Sequence, residues 1–276
     1  MGKNYFLEPS SNPHYNTAHQ SHMGHVRAGN EDRLAVREFT TTGLEAMPVL
    51  LAVLADGVGG HRAGEIAAQI GVDAVVDTLA TCETLSEPAL LLEEAFHEAN
   101  RLVLAHATAH PDTQGMGATC ACVLLIRNQL YMANLGDSRV YFLQGEDFKQ
   151  FSFDHTWLTD ASEVITSELQ GIGRDNPMAH ILTRYLGSLH PVTVDLRMRL
   201  RADENVAEMH KNQGMRMNSG DRVLLCSDGL TDMLDDGIIR KLVSSNPLEK
   251  AAETLLNAAL TAGGHDNISL ILIQFP

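Results

Sequence analysis

Aspartates stand beside the ends of several short apolar segments of this sequence. Asp56 follows the run VLLAVLA at 49–55, and Asp228 follows VLLCS. Asp32 and Asp266 each precede another apolar run. Carboxylate oxygens are the ligands that Mg²⁺ and Mn²⁺ prefer, whereas Zn²⁺ prefers histidine and cysteine. Carboxylates gathered at strand ends would repel one another unless a cation neutralised them, so the pattern predicts a divalent-cation site.

Glycines surround the second of these aspartates. Gly57, Gly59 and Gly60 follow Asp56 within four residues, which is more than a tight turn needs. We expect the Gly57 carbonyl to be available as a metal ligand and the other two glycines to turn the chain sharply into a helix. A fifth aspartate, Asp137 in NLGDSR, is expected in a hairpin turn. A lone Asp-Gly pair is ordinarily only a turn, so the prediction depends on the set as a whole.

Composition excludes several classes of protein. The 276 residues carry a formal net charge of -15, which argues against binding to the phosphate backbone of nucleic acids. The N-terminus has no apolar signal-peptide core, and no run reaches the ~18 apolar residues of a membrane span. The four cysteines form no CxxC pair, and most lie in apolar runs, which indicates a reducing compartment. We therefore expect a cytoplasmic protein that contacts neither membranes nor nucleic acids.

The strands and helices that position the aspartates can be read from local patterns. Branched apolar runs predict strands at 34–39, 49–55, 118–126, 129–135, 138–143, 222–227 and 268–274. Helices are predicted over about 62–80, from Ser86 as N-cap to about 106, and from Asn246 as N-cap to 263. The dipeptides RN at 127–128 and GD at 136–137 are interpreted as hairpin turns. Because two helices follow each other without an intervening strand, the pattern favours an α+β protein over a regular βαβ alternation.

Eight segments, in this order, resemble the metal-dependent protein phosphatase family, the phosphatase 2C-like serine/threonine phosphatases, in its bacterial form. The segments are GHVRAGNED (24–32), LAVLADGVGGHRAGEIAA (51–68), GMGATCACVLL (115–125), YMANLGDSRVYFL (131–143), DHTW (154–157), LTRYLG (182–187), GDRVLLCSDGLTDML (220–234) and GGHDNISLILI (263–273). They cover nearly the whole chain after a polar stretch at 1–23. We interpret that stretch as a loose leader and 24–276 as one catalytic domain.

The resemblance implies a four-layer sandwich of two antiparallel sheets flanked by helices, with two metal ions at one end. It assigns the metal-binding roles of the family to Asp32, Asp56, Asp228 and Asp266 and to the Gly57 carbonyl. It further implies that Asp137, with Asp228, can hold a third, weaker metal. The metal itself is left open between Mn²⁺ and Mg²⁺.

The resemblance also implies roles for two side chains that are not carboxylates. Arg27 matches the arginine that grips the substrate phosphate, with a surface salt bridge to Glu31 as the alternative. Some relatives carry a histidine directly after the Asp-Gly pair, where this chain has Val58. His61, three residues later, is either a helper in proton transfer or a histidine at a helix entry. The segment 156–180 resembles the flap beside the active site.

The function predicted from this resemblance is Mn²⁺- or Mg²⁺-dependent hydrolysis of phosphoserine and phosphothreonine in proteins by an activated water. Its partners would be substrates of a serine/threonine kinase, and we expect a monomer. Three alternatives stay open: a phosphoprotein-binding pseudophosphatase, a phosphatase of small metabolites, and an interaction module that uses metals only for stability. The extra segment 201–221 is interpreted as a hairpin extension, with a partner contact as the alternative, and His19, His22 and His25 as incidental.

Overall fold

The structure of the chain, a computed structural model, describes residues 6–42, 46–59, 62–164 and 180–276, without the side chains of 62 and 161–164. The strands are β1 (Leu7–Pro9), β2 (Asn16–His22), β3 (Arg33–Thr41), β4 (Pro48–Ala55), β5 (Gly57–Val58), β6 (Gly117–Ala118), β7 (Cys120–Ile126), β8 (Gln129–Leu135), β9 (Arg139–Gln144), β10 (Asp147–Gln150), β11 (Met215–Arg216), β12 (Arg222–Cys226) and β13 (Ile268–Gln274). The helices are α1 (Arg62–Ala80), α2 (Pro88–Ala109), α3 (Trp157–Val164), α4 (Val206–Lys211), α5 (Asp228–Thr231), α6 (Asp236–Ser244) and α7 (Leu248–Thr261).

Two sheets built from antiparallel pairs form the centre of the molecule. The first has the strand order β1-β3-β4-β7-β8-β11, and the second has the order β10-β9-β12-β13-β2. The short strands β5 and β6 pair separately, beside α1. Because neighbouring strands run in opposite directions, the start of one strand and the end of its neighbour meet at the same edge.

Strand β4 shows how the core is divided, since successive side chains of a strand point to opposite faces. Val49, Leu51 and Val53 pack in the cluster that includes α1 and α2, whereas Leu50 and Ala52 pack in the cluster between the two sheets. All five are fully buried. A third cluster joins the second sheet to α5, α6 and α7. The layers are helices, sheet, sheet and helices, which confirms the predicted α+β four-layer sandwich.

Most predicted segments agree with the observed elements to within one or two residues. The exceptions are the residues that were predicted to cap the N-termini of α2 and α7. Helix α2 begins at Pro88, and its N-cap residue, Glu87, makes no side-chain capping hydrogen bond. The N-cap residue of α7 is Pro247 and not the predicted Asn246. In both helices a proline stands at the start, where its missing N–H costs no hydrogen bond.

The predicted hairpin at 136–137 is wrong. Strand β8 lies in the first sheet and β9 in the second, so the Gly136–Asp137 dipeptide carries the chain across the sandwich. Gly136 has φ = 101°, and a Cβ there would lie 2.5 Å from the Thr119 methyl carbon. The sequence pattern misleads because β9 is buried on both faces and pairs with β12 and β10 rather than with the strand before it.

The described part of the predicted leader is not loose. Strand β1 pairs with β3, and β2 pairs with β13 along its whole length, from Asn16–Gln274 to His22–Ile268. Strand β2 is an edge strand with an exposed outer side, so a single buried residue, Ala18, is compatible with its polar sequence. The interpretation of residues 7–9 and 16–22 as a loose leader is therefore corrected, while the domain boundary at residue 24 stays a prediction.

The extra segment at 201–221 is also more ordered than a plain hairpin extension. It contains α4, whose first turn is closed by a capping box between Asn205 and Glu208, and the short strand β11. Of the predicted flap, residues 156–164 (161–164 by their backbone alone) and His180 are described, and 165–179 lie outside the described residues. Among the helices of the described ranges, none combines the length and the apolar character that crossing a membrane requires.

Candidate metal centre

The strand register brings four of the predicted aspartates to one end of the sandwich. Asp32 precedes β3 and Asp56 follows β4, and these strands pair through Arg33 and Ala55. Asp228 follows β12 after Ser227, and Asp266 precedes β13 by two residues. Strands β12 and β13 are antiparallel neighbours in the second sheet, so this pair of aspartates also meets at one edge.

A cavity of about 1050 Å³ opens where these edges meet. Asp56, Asp228 and Asp266 line it together with Asp137, which lies at the crossing between β8 and β9. Asp32 lies beneath its floor, 2% exposed, and accepts a hydrogen bond from Ser227 Oγ at 3.0 Å. The structure thus brings all five predicted aspartates together, although Asp137 arrives by a route that the sequence did not indicate.

Two carboxylate oxygens of this group are buried and have no hydrogen-bond donor within the part of the chain that the structure describes. They are Oδ1 of Asp32 and Oδ1 of Asp228. Buried polar atoms almost always have a partner, and a buried charged oxygen without one costs several kcal/mol. A divalent cation would supply what both oxygens lack. The residues therefore fit the metal site that the sequence predicts, with a donor set of oxygens that suits Mg²⁺ or Mn²⁺.

The same aspartates cannot all be ionised easily while no cation is bound. Burial, and then the charges of neighbouring aspartates, raise the pKa values of Asp56 and Asp228 well above the ordinary range. Burial also raises the pKa of Asp32 to about 6 and that of Asp137 to about 7. Such a group of mutually destabilised carboxylates favours binding of positive charge.

Asn267 is a structural residue of the site that the sequence analysis missed. Its side-chain carbonyl accepts the Glu31 N–H at 2.7 Å, and its amide group donates to the carbonyls of Met23 and Gly29 at 3.0 and 2.9 Å. These bonds hold the loop before β3 against the residue that follows Asp266. The only signal in the sequence was its place next to a predicted ligand.

Arg27 lies on this loop and reaches into the cavity. Its Nη2 donates to Asp266 Oδ2, and its side chain is 57% exposed. The hydrogen bond with Asp266, and then the charges of Asp266, Asp56 and Asp228, raise its pKa. Glu31, the alternative partner considered from sequence, lines the same cavity. The structure therefore places a permanently charged guanidinium at the mouth of the aspartate cluster, where it can meet an anion.

Gly57 is required at its position by backbone packing. It lines the cavity directly after Asp56, and a Cβ on it would lie 2.3 Å from the carbonyl carbon and oxygen of Gly64 in α1. Gly59 has φ = 129°, which other residues rarely adopt. Gly60 lies outside the described residues. The φ of Gly59 agrees with the predicted sharp turn towards the helix, while the role of the Gly57 carbonyl as a metal ligand stays a prediction.

His61, the predicted helper in proton transfer, lies outside the described residues. The cavity has another histidine, His180, whose Nδ1 is 3.7 Å from Asp232 Oδ2. One ligand atom from each of His180, Asp228 and Asp232 lies within 4.8 Å of the others. The spacing of Asp228 and Asp232, four residues apart across the turn α5, could have indicated that both carboxylates share one face.

Taken together, the cavity combines an oxygen-donor site for divalent cations with a cationic side chain at its mouth. Cations held by Asp32, Asp56, Asp228 and Asp266 would face an anion bound by Arg27. Such a site is suited to a substrate with a phosphate group, which offers several oxygens to metal and guanidinium at once.

Comparison with known proteins gives a consistent result. The family model described as Protein phosphatase 2C matches residues 23–268. The chain is 30% identical over 257 residues to the serine/threonine phosphatase stp of Listeria innocua, with 91% of this chain and 92% of that protein covered.

Solved structures agree in fold. The Mycobacterium tuberculosis serine/threonine phosphatase PstP/Ppp has a TM-score of 0.75 at 29% identity, covering 95% of this chain and 98% of that chain. A catalytic domain of PstP in complex with two manganese ions has a TM-score of 0.73 at 31% identity, covering 94% of this chain and 97% of that chain.

Proposed function

This chain belongs to the protein phosphatase 2C family, and we propose that it hydrolyses phosphoserine and phosphothreonine in proteins with the help of two divalent cations, Mn²⁺ or Mg²⁺. The observation that carries the proposal is the convergence of the five aspartates at one cavity, where the buried Oδ1 atoms of Asp32 and Asp228 have no donor among the described residues. Among known proteins, a PstP catalytic domain crystallised with two manganese ions supports the same metal stoichiometry.

Each residue of the cavity has a role in this proposal. Asp32, Asp56, Asp228 and Asp266 hold the two cations, together with the Gly57 carbonyl. Asp137 and Asp228 hold a third, weaker one. When bound, the cations supply Lewis acidity, which lowers the pKa of water and neutralises charge on phosphoryl oxygens.

The substrate phosphate binds to Arg27, whose planar guanidinium can donate to two phosphoryl oxygens at once. The pair that Arg27 forms with Asp266 points the guanidinium towards the aspartate cluster, so a phosphate bound there would lie between Arg27 and the cations that the aspartates would hold. Lysine would offer only a point charge at this position.

Hydrolysis needs no covalent intermediate on the protein. The oxygen of a water forms the new bond to phosphorus, the bond from phosphorus to the serine or threonine oxygen breaks, and a proton ends on that leaving oxygen. Cys226, two residues before Asp228, is fully buried in the core, and burial raises the pKa of its thiol to about 12. His61 remains a predicted helper in proton transfer, with a histidine at a helix entry as the alternative.

The direct test is hydrolysis of a phosphothreonine peptide with Mn²⁺, with Mg²⁺ and with excess EDTA, alongside a panel of small phosphorylated metabolites. We expect metal-dependent release of phosphate from the peptide, abolished by EDTA. Release from the metabolites alone would favour the metabolite phosphatase. Absence of release from folded, metal-loaded protein would favour a pseudophosphatase, or a module that uses metals for stability if EDTA melts the fold.

The broader setting is part of the same proposal. We infer a cytoplasmic monomer whose substrates are phosphorylated by a serine/threonine kinase and which binds neither nucleic acid nor membrane. The free thiols of Cys120, Cys122 and Cys226, buried in the core, support a reducing compartment. The net charge of -15 supports the exclusion of nucleic acid. Residues 24–276 would form the catalytic domain, with 156–180 as its flap.

A further inference from the structure

His155, in the DHTW segment, is a buried histidine that touches the backbone next to Asp137. Its side chain is 1% exposed. The Gly136 N–H donates to His155 Nδ1 at 3.1 Å, and the His155 backbone N–H donates to the Gly136 carbonyl at 3.0 Å. One residue therefore binds both backbone polar groups of Gly136, the residue that carries the chain from the first sheet into Asp137.

The other ring nitrogen of His155 is held by a second buried residue. His155 Nε2 lies 3.0 Å from Oδ2 of Asp195, which is 4% exposed. Because Nδ1 accepts from an amide, the ring proton stands on Nε2 and is donated to this carboxylate. Arg197 donates to the same carboxylate, with Nη2 2.7 Å from Oδ2. The hydrogen bonds to Gly136 and Asp195 thus fix the orientation and the tautomer of the imidazole.

Asp195 is itself attached to the strand that leads to the crossing. Its backbone pairs with that of Asn134 in β8 through hydrogen bonds of 2.9 and 3.1 Å. The side-chain amide of Asn134 donates to the carbonyls of Gly136 and Phe153 at 3.3 and 3.1 Å. The end of β8, the crossing and the segment before His155 form one connected polar network.

The network continues from the crossing to a predicted metal ligand. Ser138 Oγ lies 2.8 Å from Thr119 Oγ1, which accepts the backbone N–H of Asp56 at 2.9 Å. The Thr119 N–H donates to the Asp56 carbonyl at 2.8 Å. The residues on either side of Asp137 are therefore connected to His155 on one side and to Asp56 on the other.

His155 also holds the chain where it returns from the flap. Its carbonyl accepts the Thr183 N–H at 2.9 Å, and the next residue, Thr156, forms a β-bridge with Leu182. Ile181 and Leu182 line the cavity. The same residue is thus in contact with the turn that carries Asp137 and with the wall that a bound peptide would meet.

We propose that His155 is a positioning residue that fixes Asp137 relative to Asp56 by accepting the Gly136 N–H, and that it anchors the returning flap segment at the same point. The inference rests on the proposed function, in which Asp137 holds the weaker cation. A misplacement of about 1 Å at an active site can cost on the order of 10²-fold in rate, so a single hydrogen bond that sets this turn matters to turnover.

Two substitutions separate the two ring nitrogens. In His155→Asn the amide oxygen can take the place of Nδ1 and accept the Gly136 N–H, while the bond to Asp195 is lost. In His155→Gln the longer amide can reach Asp195, while the Gly136 N–H loses its acceptor. For each variant we would measure kcat and KM on a phosphothreonine peptide, the Mn²⁺ concentration for half-maximal activity, and the thermal midpoint in EDTA.

We expect His155→Gln to lower kcat about tenfold or more and to raise the Mn²⁺ requirement, with KM changing less. His155→Asn should keep kcat within about threefold of the wild-type value, even if its thermal midpoint is lowered as much as that of His155→Gln. Backbone hydrogen exchange over 131–143 should accelerate in His155→Gln and not in His155→Asn. The inference would be overturned if kcat fell in the two variants only in proportion to the loss of thermal midpoint. It would also be overturned if His155→Gln kept the wild-type kcat and Mn²⁺ requirement.

Two reference variants complete the design. Tyr15→Phe removes a hydroxyl that bonds the carbonyl of Arg127 at 2.6 Å, at the sheet end away from the cavity, and should change stability without changing the Mn²⁺ requirement. Asp137→Asn tests the premise. If Asp137→Asn behaves as wild type, the assigned role of Asp137 fails and the inference fails with it. If it is impaired while His155→Gln is not, the inference alone fails.

Discussion

Asp228 illustrates how a single residue can be costly to the fold and necessary to the site. Its Oδ1 has no donor in the described ranges, and burial, followed by the charges of Asp137, Asp232 and Asp266, acts against its ionisation. A carboxylate in this position destabilises the metal-free protein, and in the proposed function it is a ligand of the cations. Function and stability are therefore expected to respond to its removal in opposite directions.

The corresponding prediction is that Asp228→Asn lowers Mn²⁺-dependent turnover by at least ~10²-fold, since several kcal/mol of charge stabilisation are lost. The variant should fold, and its thermal midpoint in EDTA should rise because one buried charge is removed. Peptide hydrolysis and calorimetry check the two parts. Asp203→Asn, the same change at an 84% exposed side chain, serves as the control. Near-normal turnover in Asp228→Asn would remove the metal assignment.

At the scale of elements, the edge strand β2 matters because its partner β13 starts two residues after Asp266. Seven residues of β2 pair with β13, and the Ser21 and Ser269 hydroxyls bond across them at 2.8 Å. Ala18 packs with the cluster of α6 and α7. A strand that completes the second sheet is expected to contribute to stability and to hold β13 in register.

We predict that Ala18→Asp destabilises the protein by more than about 2 kcal/mol, because it buries an unpaired charge. His19→Asp, on the exposed side of the same strand, should change the free energy of unfolding by less than about 0.5 kcal/mol. Urea unfolding of both variants in EDTA makes the comparison. Equal, small effects would mean that the N-terminal residues are a loose leader after all.

At the scale of the whole molecule, the aspartates gathered at one end of the sandwich make the stability of the protein depend on pH and on bound metal. Asp32 has a folded-state pKa of about 6 and Asp137 one of about 7, against roughly 3.9 for an unfolded aspartate. Between those values the folded, metal-free protein holds protons that the unfolded chain has released. The stability they contribute is therefore lost as pH rises through about 4 to 7.

The expected outcome is that the thermal midpoint in EDTA falls from pH 5 to pH 7, while the increase produced by Mn²⁺ grows over the same range. Mn²⁺ binds the ionised ligands of the folded state, so its contribution increases as protons leave them. Scanning calorimetry at pH 5, 6 and 7, with EDTA and with Mn²⁺, tests this. A Mn²⁺ effect independent of pH would contradict the coupling between these carboxylates and the metal.

Local sequence was sufficient to predict the long helices, the aspartates at strand ends and seven apolar strands, namely β3, β4, β7, β8, β9, β12 and β13. The run at 49–55 and the run at 268–274 are apolar over lengths typical of buried strands, and turn residues next to them stay at the strand ends in any packing arrangement. The predicted cation site followed from residue type and spacing, because carboxylates at neighbouring strand ends have few other ways to be neutralised.

The tertiary structure alone decided which sheet each strand joins and what supports the site. A strand buried on both faces, such as β9, shows the same pattern in either sheet, so the crossing at Gly136 could not be distinguished from a hairpin. A polar edge strand such as β2 lacks the apolar alternation that predicts burial. The bonds from His155 to Gly136 and from Asn267 to Gly29 join residues that are distant in sequence, and no local pattern encodes such contacts.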